Sequence, residues 1–304
     1  MTSPQPKESS PDNKALSIEQ EIRNLAIISL ANRLPPSVAD NYNIFDEPLV
    51  KFADGSDPIF TDYKTIIAPS HLTPREALAQ AYGKSPEDIP AHLSVISWIL
   101  PITEKTRQSN RNERLTPSRI WSHTRWYGEK FNDVLRHHVV EIITGMGYLA
   151  TAPALQSYFK VERNEKGPYS NWSERHIAYV AGHGTFSLSD GFITASGIAH
   201  RCGSVVTDLK LPVSLRTARA PYSNCLFYAD GSCKACIKRC PAEAISEEGH
   251  DKIKCQTYQR GIGYVATNQE YDDNVSVMGC GLCQAKVPCE FGIPTNKGKQ
   301  KRAP

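Results

Sequence analysis

The chain has 304 residues, 40% of them hydrophobic, and its 35 basic and 32 acidic side chains leave a formal charge of +3. A chain of this length buries one large core and a smaller module. So small an excess of charge gives no support to a nucleic-acid partner. With no run of 18 apolar residues, no transmembrane helix and no membrane partner are expected.

In chain order, the opening "MTSPQPKESSPDNK" is polar, with no apolar h-region and no twin-arginine pair. Residues 1–15 therefore read as a disordered leader, not an export signal, and the expected compartment is cytoplasmic. The stretch "SIEQEIRNLAIISLANRL" reads as a helix, with Ser17 and Gln20 in a capping-box pattern and Ile18, Ile22, Leu25 and Ile28 at helical spacing. Pro35 and Pro36 stop it, and residues 36–70 hold enough turn formers to read as irregular. "TPREALAQAYG" suits a short helix with Thr73 as cap, Pro74 in the first turn and Gly83 beyond the end. "LSVISWILP" (Leu93 to Pro101) suits a buried strand, and "WYGEKFNDVLRHHVVEIITGMGY" a long amphipathic helix ending near Gly145 or Gly147. "SVVTDLKLPV" (Ser204 to Val213) suits a further strand. Strands and long helices mixed in this way predict an α/β (α+β) body over residues 16–215. No repeat of solenoid period is present. The basic end "NKGKQKR" reads as a solvated tail.

Eight of the nine cysteines lie between Cys225 and Cys289, which marks residues 216–304 as a separate cysteine-rich module. Structural disulfides are rare in the expected compartment, so metal or redox chemistry is the better reading. Cys233, Cys236, Cys240 and Pro241 form C-x2-C-x3-C-P, and Cys280, Cys283 and Cys289 form C-x2-C-x5-C. The first pattern is that of two-cluster ferredoxins, in which the cysteine before proline ligates the other [4Fe–4S] cluster. The residue before proline is pushed into an extended conformation, which turns the chain towards a second site. Asp230 stands where the run's first cysteine would be, and Cys225, five residues upstream, takes its place. With the crossover, one set is Cys225, Cys233, Cys236 and Cys289, and the other Cys240, Cys255, Cys280 and Cys283. Two all-cysteine zinc sites are the rival reading, although those usually come as paired C-x2-C knuckles. Cys202 is left over and reads as a small buried hydrophobe.

Upstream lies "HIAYVAGHGTFSLSDGFITASGIAHRCGSVVTDLKLP", His176 to Pro212, whose glycines permit close approach of backbone to a large ligand. Taken with the cysteines, the series "AGxG…G…VxTDLxLP…CxxCxxxCP…C…GCxxCQ…C" resembles the cobalamin-dependent family of epoxyqueuosine reductases and reductive dehalogenases, over about Arg125 to Pro294. The resemblance implies a nitroreductase-like body binding base-off cobalamin and a ferredoxin-like module with two [4Fe–4S] clusters. Electrons would pass through the clusters to cobalt and on to a small organic substrate. It places cofactor contacts at Ala181, Gly182, His183, Gly184, Gly191, Gly203 and Thr207.

The sequence departs from the family in places. Its tRNA-directed members carry an acid in a V-D-S-A-P-type motif, and here "LATAP" (Leu149 to Pro153) has Ala150 in that place. The lysine that follows their glycine loop is replaced by Leu188 and Ser189. No helical-repeat domain is expected beyond Cys289. A tRNA substrate is therefore not expected, and the catalytic proton donor must be sought among Tyr148, His183 and Asp190. Arg125, Trp126 and Tyr127 are further candidates to line the pocket. The adjacent His137 and His138 point apart on a helix and are not read as a metal site. Two functions lead: a cobalamin- and iron–sulfur-dependent reductase, or an electron-transfer protein that reduces a corrinoid protein or other acceptor; a tRNA-modifying epoxyqueuosine reductase is a weaker third. Either needs a low-potential donor such as ferredoxin or flavodoxin.

Overall fold

The structure is a computed structural model that describes residues 10–40, 42–267 and 279–295. The basic tail and the first nine residues of the leader lie outside these. Helix α1 runs Pro11–Ile28, because the Ser10 side chain accepts from the Asn13 amide and Pro11 fits the first turn. It therefore starts ahead of Ser17 and takes in residues assigned to the leader. Gln20 is a mid-helix residue that donates to Asn24. The stretch read as irregular contains β1 (Leu49–Asp54) and α2 (Ile59–Ile66). Helix α3 (Pro74–Ala81) has the expected Thr73 capping box with Glu76.

Strand β2 (Ser94–Pro101) is buried along its whole length, as its apolar run predicts. After α4 (Glu104–Arg111) comes the long α5 (Arg119–Gly145), which begins at the Ser118 cap, ahead of Trp126. Strand β3 (Ala150–Thr151), the β4–β5 hairpin (Val161–Asn164, Gly167–Ser170) and α6 (Glu174–Val180) follow. The glycine-rich stretch folds as a second hairpin, β6 (Gly184–Phe186) and β7 (Phe192–Thr194). It leads into β8 (His200–Thr207), which starts and ends earlier than the sequence suggests. The module contributes α7 (Leu226–Asp230), α8 (Ala235–Arg239), a small hairpin of β9 (Ile245–Ser246) and β10 (Gly249–His250), and α9 (Lys252–Thr267). Among the described residues no helix is long and apolar enough to cross a membrane.

The central sheet has the order β1-β2-β8-β3 and every neighbouring pair is antiparallel. The body is thus mixed, of the α+β form. The pleat of β2 sends alternate side chains to opposite faces. Ile96, Trp98 and Leu100 join a core with α1 and α5, while Val95 joins one with α2, α3 and α6. Trp98 is fully buried, and its indole N–H donates to Asn132 of α5 at 2.9 Å. Its ring lies on Gly203, the residue opposite it on β8. A Cβ at Gly203 would stand 2.4 Å from the indole, so the glycine is there for the tryptophan. Arg136 of α5, only 3% exposed, donates to Glu129 and Asp133 on its own helix and to Glu174 of α6. Glu174 also accepts from Ser204 of β8 at 2.6 Å. Helix, strand and helix are joined through one buried ionic group.

Gly203→Val should force the Trp98 ring from its place and cost about 1–3 kcal/mol, the usual range for overpacking a core. A lowered thermal midpoint would register this. A midpoint equal to wild type would show that the ring can move aside.

Candidate functional site

All nine cysteines are free. Among the described residues no group of three or more His, Cys, Asp or Glu is drawn close enough to hold a single metal ion. The cysteines of the module fall instead into two looser sets. Cys225, Cys233, Cys236 and Cys289 line one small pocket, and Cys240, Cys255, Cys280 and Cys283 line a second, larger cavity. These are the two sets that the crossover count gives. The first pocket has only about 20 Å³ of free space.

The division is produced at α8. This helix is five residues long and carries Cys236, and Cys240 caps it in an extended conformation (φ −86°, ψ 107°) before Pro241. Cys240 is thereby turned from the first set to the second. Burial and neighbouring thiols push Cys236 up to about 11 and Cys289 up to about 12. Burial pushes Cys280 up to about 11 and Cys283 well above its ordinary value. Left alone these would be neutral buried thiols, and a bound metal would deprotonate them. At Cys255 burial raises the thiol, but hydrogen bonds from His250 and Gln259 outweigh it and hold the group below its usual range. The Cys240 sulfur accepts from the Ala244 amide at 3.3 Å. Hydrogen bonds to sulfur are among the levers that set a cluster's potential. Four cysteines per set, half-buried except for the buried Cys225, fit a [4Fe–4S] cluster in donor chemistry and number.

The segment carrying Cys280, Cys283 and Cys289 is fixed to the body. Gly281 has φ +59°, and its Cα lies on the Trp121 indole so closely that a Cβ would stand 2.0 Å from the ring. The Cys289 carbonyl accepts from the Ile198 amide at 3.0 Å. Glu290 is 1% exposed and accepts from Arg111 Nε at 2.9 Å on both oxygens.

Between body and module lies a cavity of about 500 Å³. Set two forms one wall. The body supplies Trp121 and Arg125 from α5, Arg175 from α6, Ser189, Asp190 and Gly191 from the hairpin turn, and His200 and Arg201 from β8. His250, Lys252 and Tyr258 come from the module. This size suits a small-molecule ligand.

Of the three catalytic candidates, only Asp190 lines the cavity. It adopts φ +55° in the turn and its carboxylate accepts from His250 Nδ1 at 3.2 Å. Burial would raise its pKa, but His250 and Lys252 hold it below the usual carboxylate range. Burial alone would lower His250, yet its hydrogen bonds with Asp190 and Cys255 push it up to about 9. His183 is 5% exposed and points into the sheet, with Nε2 3.0 Å from the Ser97 carbonyl oxygen. Burial pushes it down to about 3, so it is neutral near pH 7 and has no proton to give. Tyr148 packs on the side of α1, where its hydroxyl accepts from Lys14 at 2.8 Å.

Of the seven residues assigned to cofactor contact, Gly191 alone lines the cavity. Ala181 is fully buried in the core beneath α6. Gly182 lies under the Leu215–Arg216 backbone, and Gly184 pairs with Thr194, hard against the Ile193 carbonyl. Gly203 accommodates Trp98, and the Thr207 hydroxyl accepts from the Leu209 amide at 3.0 Å. The chain's own packing accounts for these glycines. Among Arg125, Trp126 and Tyr127, Arg125 reaches the cavity. Arg175, Arg201, Lys252 and His250 were not singled out from the sequence. They sit singly on four elements and share no spacing that marks them as a group.

No protein-family model matches the sequence, and no curated protein matches it. Solved structures to which the chain is similar include epoxyqueuosine reductase from Bacillus subtilis, at 15% identity and a TM-score of 0.38 over 92% of this chain and 67% of that one. Another is epoxyqueuosine reductase with a modified tRNA-Tyr stem loop, at 16% identity and a TM-score of 0.42 over the same shares. A third is the catabolic reductive dehalogenase NpRdhA, at 15% identity and a TM-score of 0.46. The match to that enzyme covers 92% of this chain but spans only 38% of the dehalogenase.

Two outcomes follow from this geometry. Cys225→Ser and Cys289→Ser should each remove the same four of about eight irons, and the double variant should lose no more. Iron analysis of the three variants checks the pairing, and Cys202→Ser should leave the count unchanged. The second concerns His183 and His71, which burial lowers to about 3 and about 4 from an ordinary 6.5. Above 6.5 both are neutral folded and unfolded, and their contribution to stability is complete. As pH falls below 6.5 the unfolded chain takes up protons that the native state refuses. Stability should then fall by about 1.4 kcal/mol per pH unit for each histidine. Melting curves between pH about 7 and about 5 should show a shallower decline for His183→Gln than for wild type.

Proposed function

We propose that the protein is an iron–sulfur-dependent reductase whose acceptor occupies the cavity between body and module. The observation that carries this is the position of the second cysteine set. Its four thiols form a wall of the larger cavity, which the body lines with side chains from α5, α6 and β8, while the first set sits in a pocket of about 20 Å³ that meets the body only at Ser187, Ser189, Ile193 and Ile198. Two [4Fe–4S] clusters, when bound, supply single-electron transfer at low potential. The body's part is to hold the acceptor against set two, through side chains carried on α5, α6 and β8. Trp121 and Ile102 give the cavity apolar surface, and Asp190 and His250 give it a hydrogen-bonded polar edge.

The sequence resemblance makes that acceptor cobalamin, in which case cobalt chemistry on a small organic substrate would follow. Of the residues that the resemblance assigns to cobalamin only Gly191 lines the cavity, whose volume of about 500 Å³ is small for a corrinoid with its side chains, so this acceptor would need the body to open around it. A low-potential ferredoxin or flavodoxin would be the electron donor. A second reading is favoured by one feature, the filling of the glycine-rich segment by its own chain. The protein would then carry electrons to a corrinoid protein or other acceptor and hold no corrinoid of its own. The replacement of the family's acid by Ala150, which lies buried in β3 and away from the cavity, speaks against epoxyqueuosine in tRNA as substrate.

Anaerobic purification followed by iron and sulfide analysis and titration with cobalamin distinguishes these. About eight irons and a shift of the visible spectrum to the base-off form are expected for the cobalamin reductase. Eight irons with an unchanged cobalamin spectrum would leave the electron carrier. Absence of iron after reconstitution would sink both.

A further inference from the structure

The cavity is strongly cationic. Arg125, Arg175, Arg201 and Lys252 line it against one carboxylate, Asp190. That carboxylate is already engaged by His250 at 3.2 Å, with Lys252 at 4.0 Å. Glu129 stands behind the wall and is shared among three guanidinium groups, Arg136 at 2.8 Å, Arg201 at 3.0 Å and Arg125 at 3.8 Å. Arg136 is met by Asp133 and Glu174 as well, but Arg125 and Arg201 are left to divide a carboxylate that Arg136 already engages. Arg201 Nε is buried without a hydrogen-bond partner. The three cavity arginines come from three elements of the body, α5, α6 and β8, and converge on one space. Arg125 and Trp121 are four apart on α5 and so share a face. Arg201 donates to the Arg125 carbonyl at 3.3 Å, which places the two guanidinium stems side by side.

We propose that the cavity binds a small organic oxyanion, a carboxylate or a phosphate ester, with its charged end at Arg125 and Arg201 and its apolar body against Trp121. This rests on the reading of the cavity as the acceptor site and takes the acceptor there to be a small organic anion in place of cobalamin. Planar guanidinium groups bind carboxylate and phosphate oxygens in pairs. An apolar ring beside them gives such a ligand its remaining contact area. The competing account is that the cations only balance the negative charge of a thiolate-ligated cluster in set two.

The test is calorimetric titration of the iron-loaded protein under argon with benzoate, phenyl phosphate and benzamide, three ligands of similar body and different charge. Benzoate or phenyl phosphate should bind at least about tenfold more tightly than benzamide. The tighter of the two identifies the oxyanion. Arg125→Gln should weaken that binding on the order of tenfold. Arg175→Gln, at an exposed position on α6 whose guanidinium also meets the Asp190 carbonyl, should weaken it in the same direction. If no anion binds to protein holding its iron, if benzamide binds equally well, or if neither arginine variant changes affinity, the proposal is overturned and the cations answer to the cluster alone. Anion binding by protein that fails to load iron would keep the proposal and sink the reductase reading.

Discussion

The buried carboxylate of Glu290 is the point on which the site depends. It takes both oxygens' worth of hydrogen bonding from Arg111 and a further bond from the Lys286 amide at 2.6 Å. Its own carbonyl accepts from Arg107 at 3.1 Å, and the guanidinium groups of Arg107 and Arg111 both lie over the Phe291 ring. A charged group taken out of water in this way is costly unless every oxygen is met, and here both are. Removing Arg111 would leave the Glu290 carboxylate buried with the Lys286 amide alone, a loss of up to about 3–5 kcal/mol, whereas Arg111 is 31% exposed and loses less without its partner. The contact therefore acts as a latch with a strong penalty for partial opening.

What the latch holds is the last stretch of module. That stretch gives one cysteine to the first set and two to the second. Neither set is complete without it, and the cavity loses the Gly279–Gln284 wall if it lifts. Trp121 of the body receives Gly281, and Phe291 of the stretch itself lies under the arginines of α4, which gives contact on either side of the ion pair. Assembly of the two cysteine sets and closure of the cavity are thus one event. Metal binding in such a site adds its free energy to folding, because a preformed site does not exist in the unfolded chain. Arg239 reinforces the joint from the module side, donating to the carbonyls of Asn110 and Glu113 on the body and of Leu282 and Ala285 within the module.

The cysteine division was legible in the sequence because its cause is local. Spacing and the Cys240–Pro241 pair fix where the chain turns, and the count of eight cysteines leaves Cys289 for one set and Cys280 and Cys283 for the other. Strand β2 and helix α3 were legible for the same reason, one from an unbroken apolar run and the other from a capping box. The start of α1 was missed because a polar, proline-bearing opening looks like disorder, although Ser10 and Pro11 are together a cap and a first turn. Strand β1 was missed because an edge strand of six residues carries little periodicity of its own and is defined by its pairing with β2. The glycine-rich stretch misled most. Its glycines answer to Trp98, to the Ile193 carbonyl and to the 215–216 backbone, partners far off in sequence, and a one-dimensional reading assigns them to a ligand. The cavity arginines were invisible for the converse reason, since α5, α6 and β8 bring them together only in the folded body.

The two walls of the cavity differ in how firmly they are set. On the body side Arg125 and Arg201 share Glu129, which also holds Arg136, and Arg136 is tied through Glu174 to Ser204 within the central sheet. Charge on that wall is carried by a helix and a strand with buried ionic support, so its geometry does not relax when a ligand arrives. On the module side Cys240, Cys280 and Cys283 sit on turns whose positions depend on the latch and on one another. A rigid cationic face opposite a sulfur-bearing face that is completed only by assembly is an arrangement in which the body chooses and orients what is bound. In the reductase proposed above, the module would determine when electrons can reach it. Placing binding groups on regular elements and electron-transfer ligands on short turns keeps the first precise, and it makes the second conditional on a closed and loaded site.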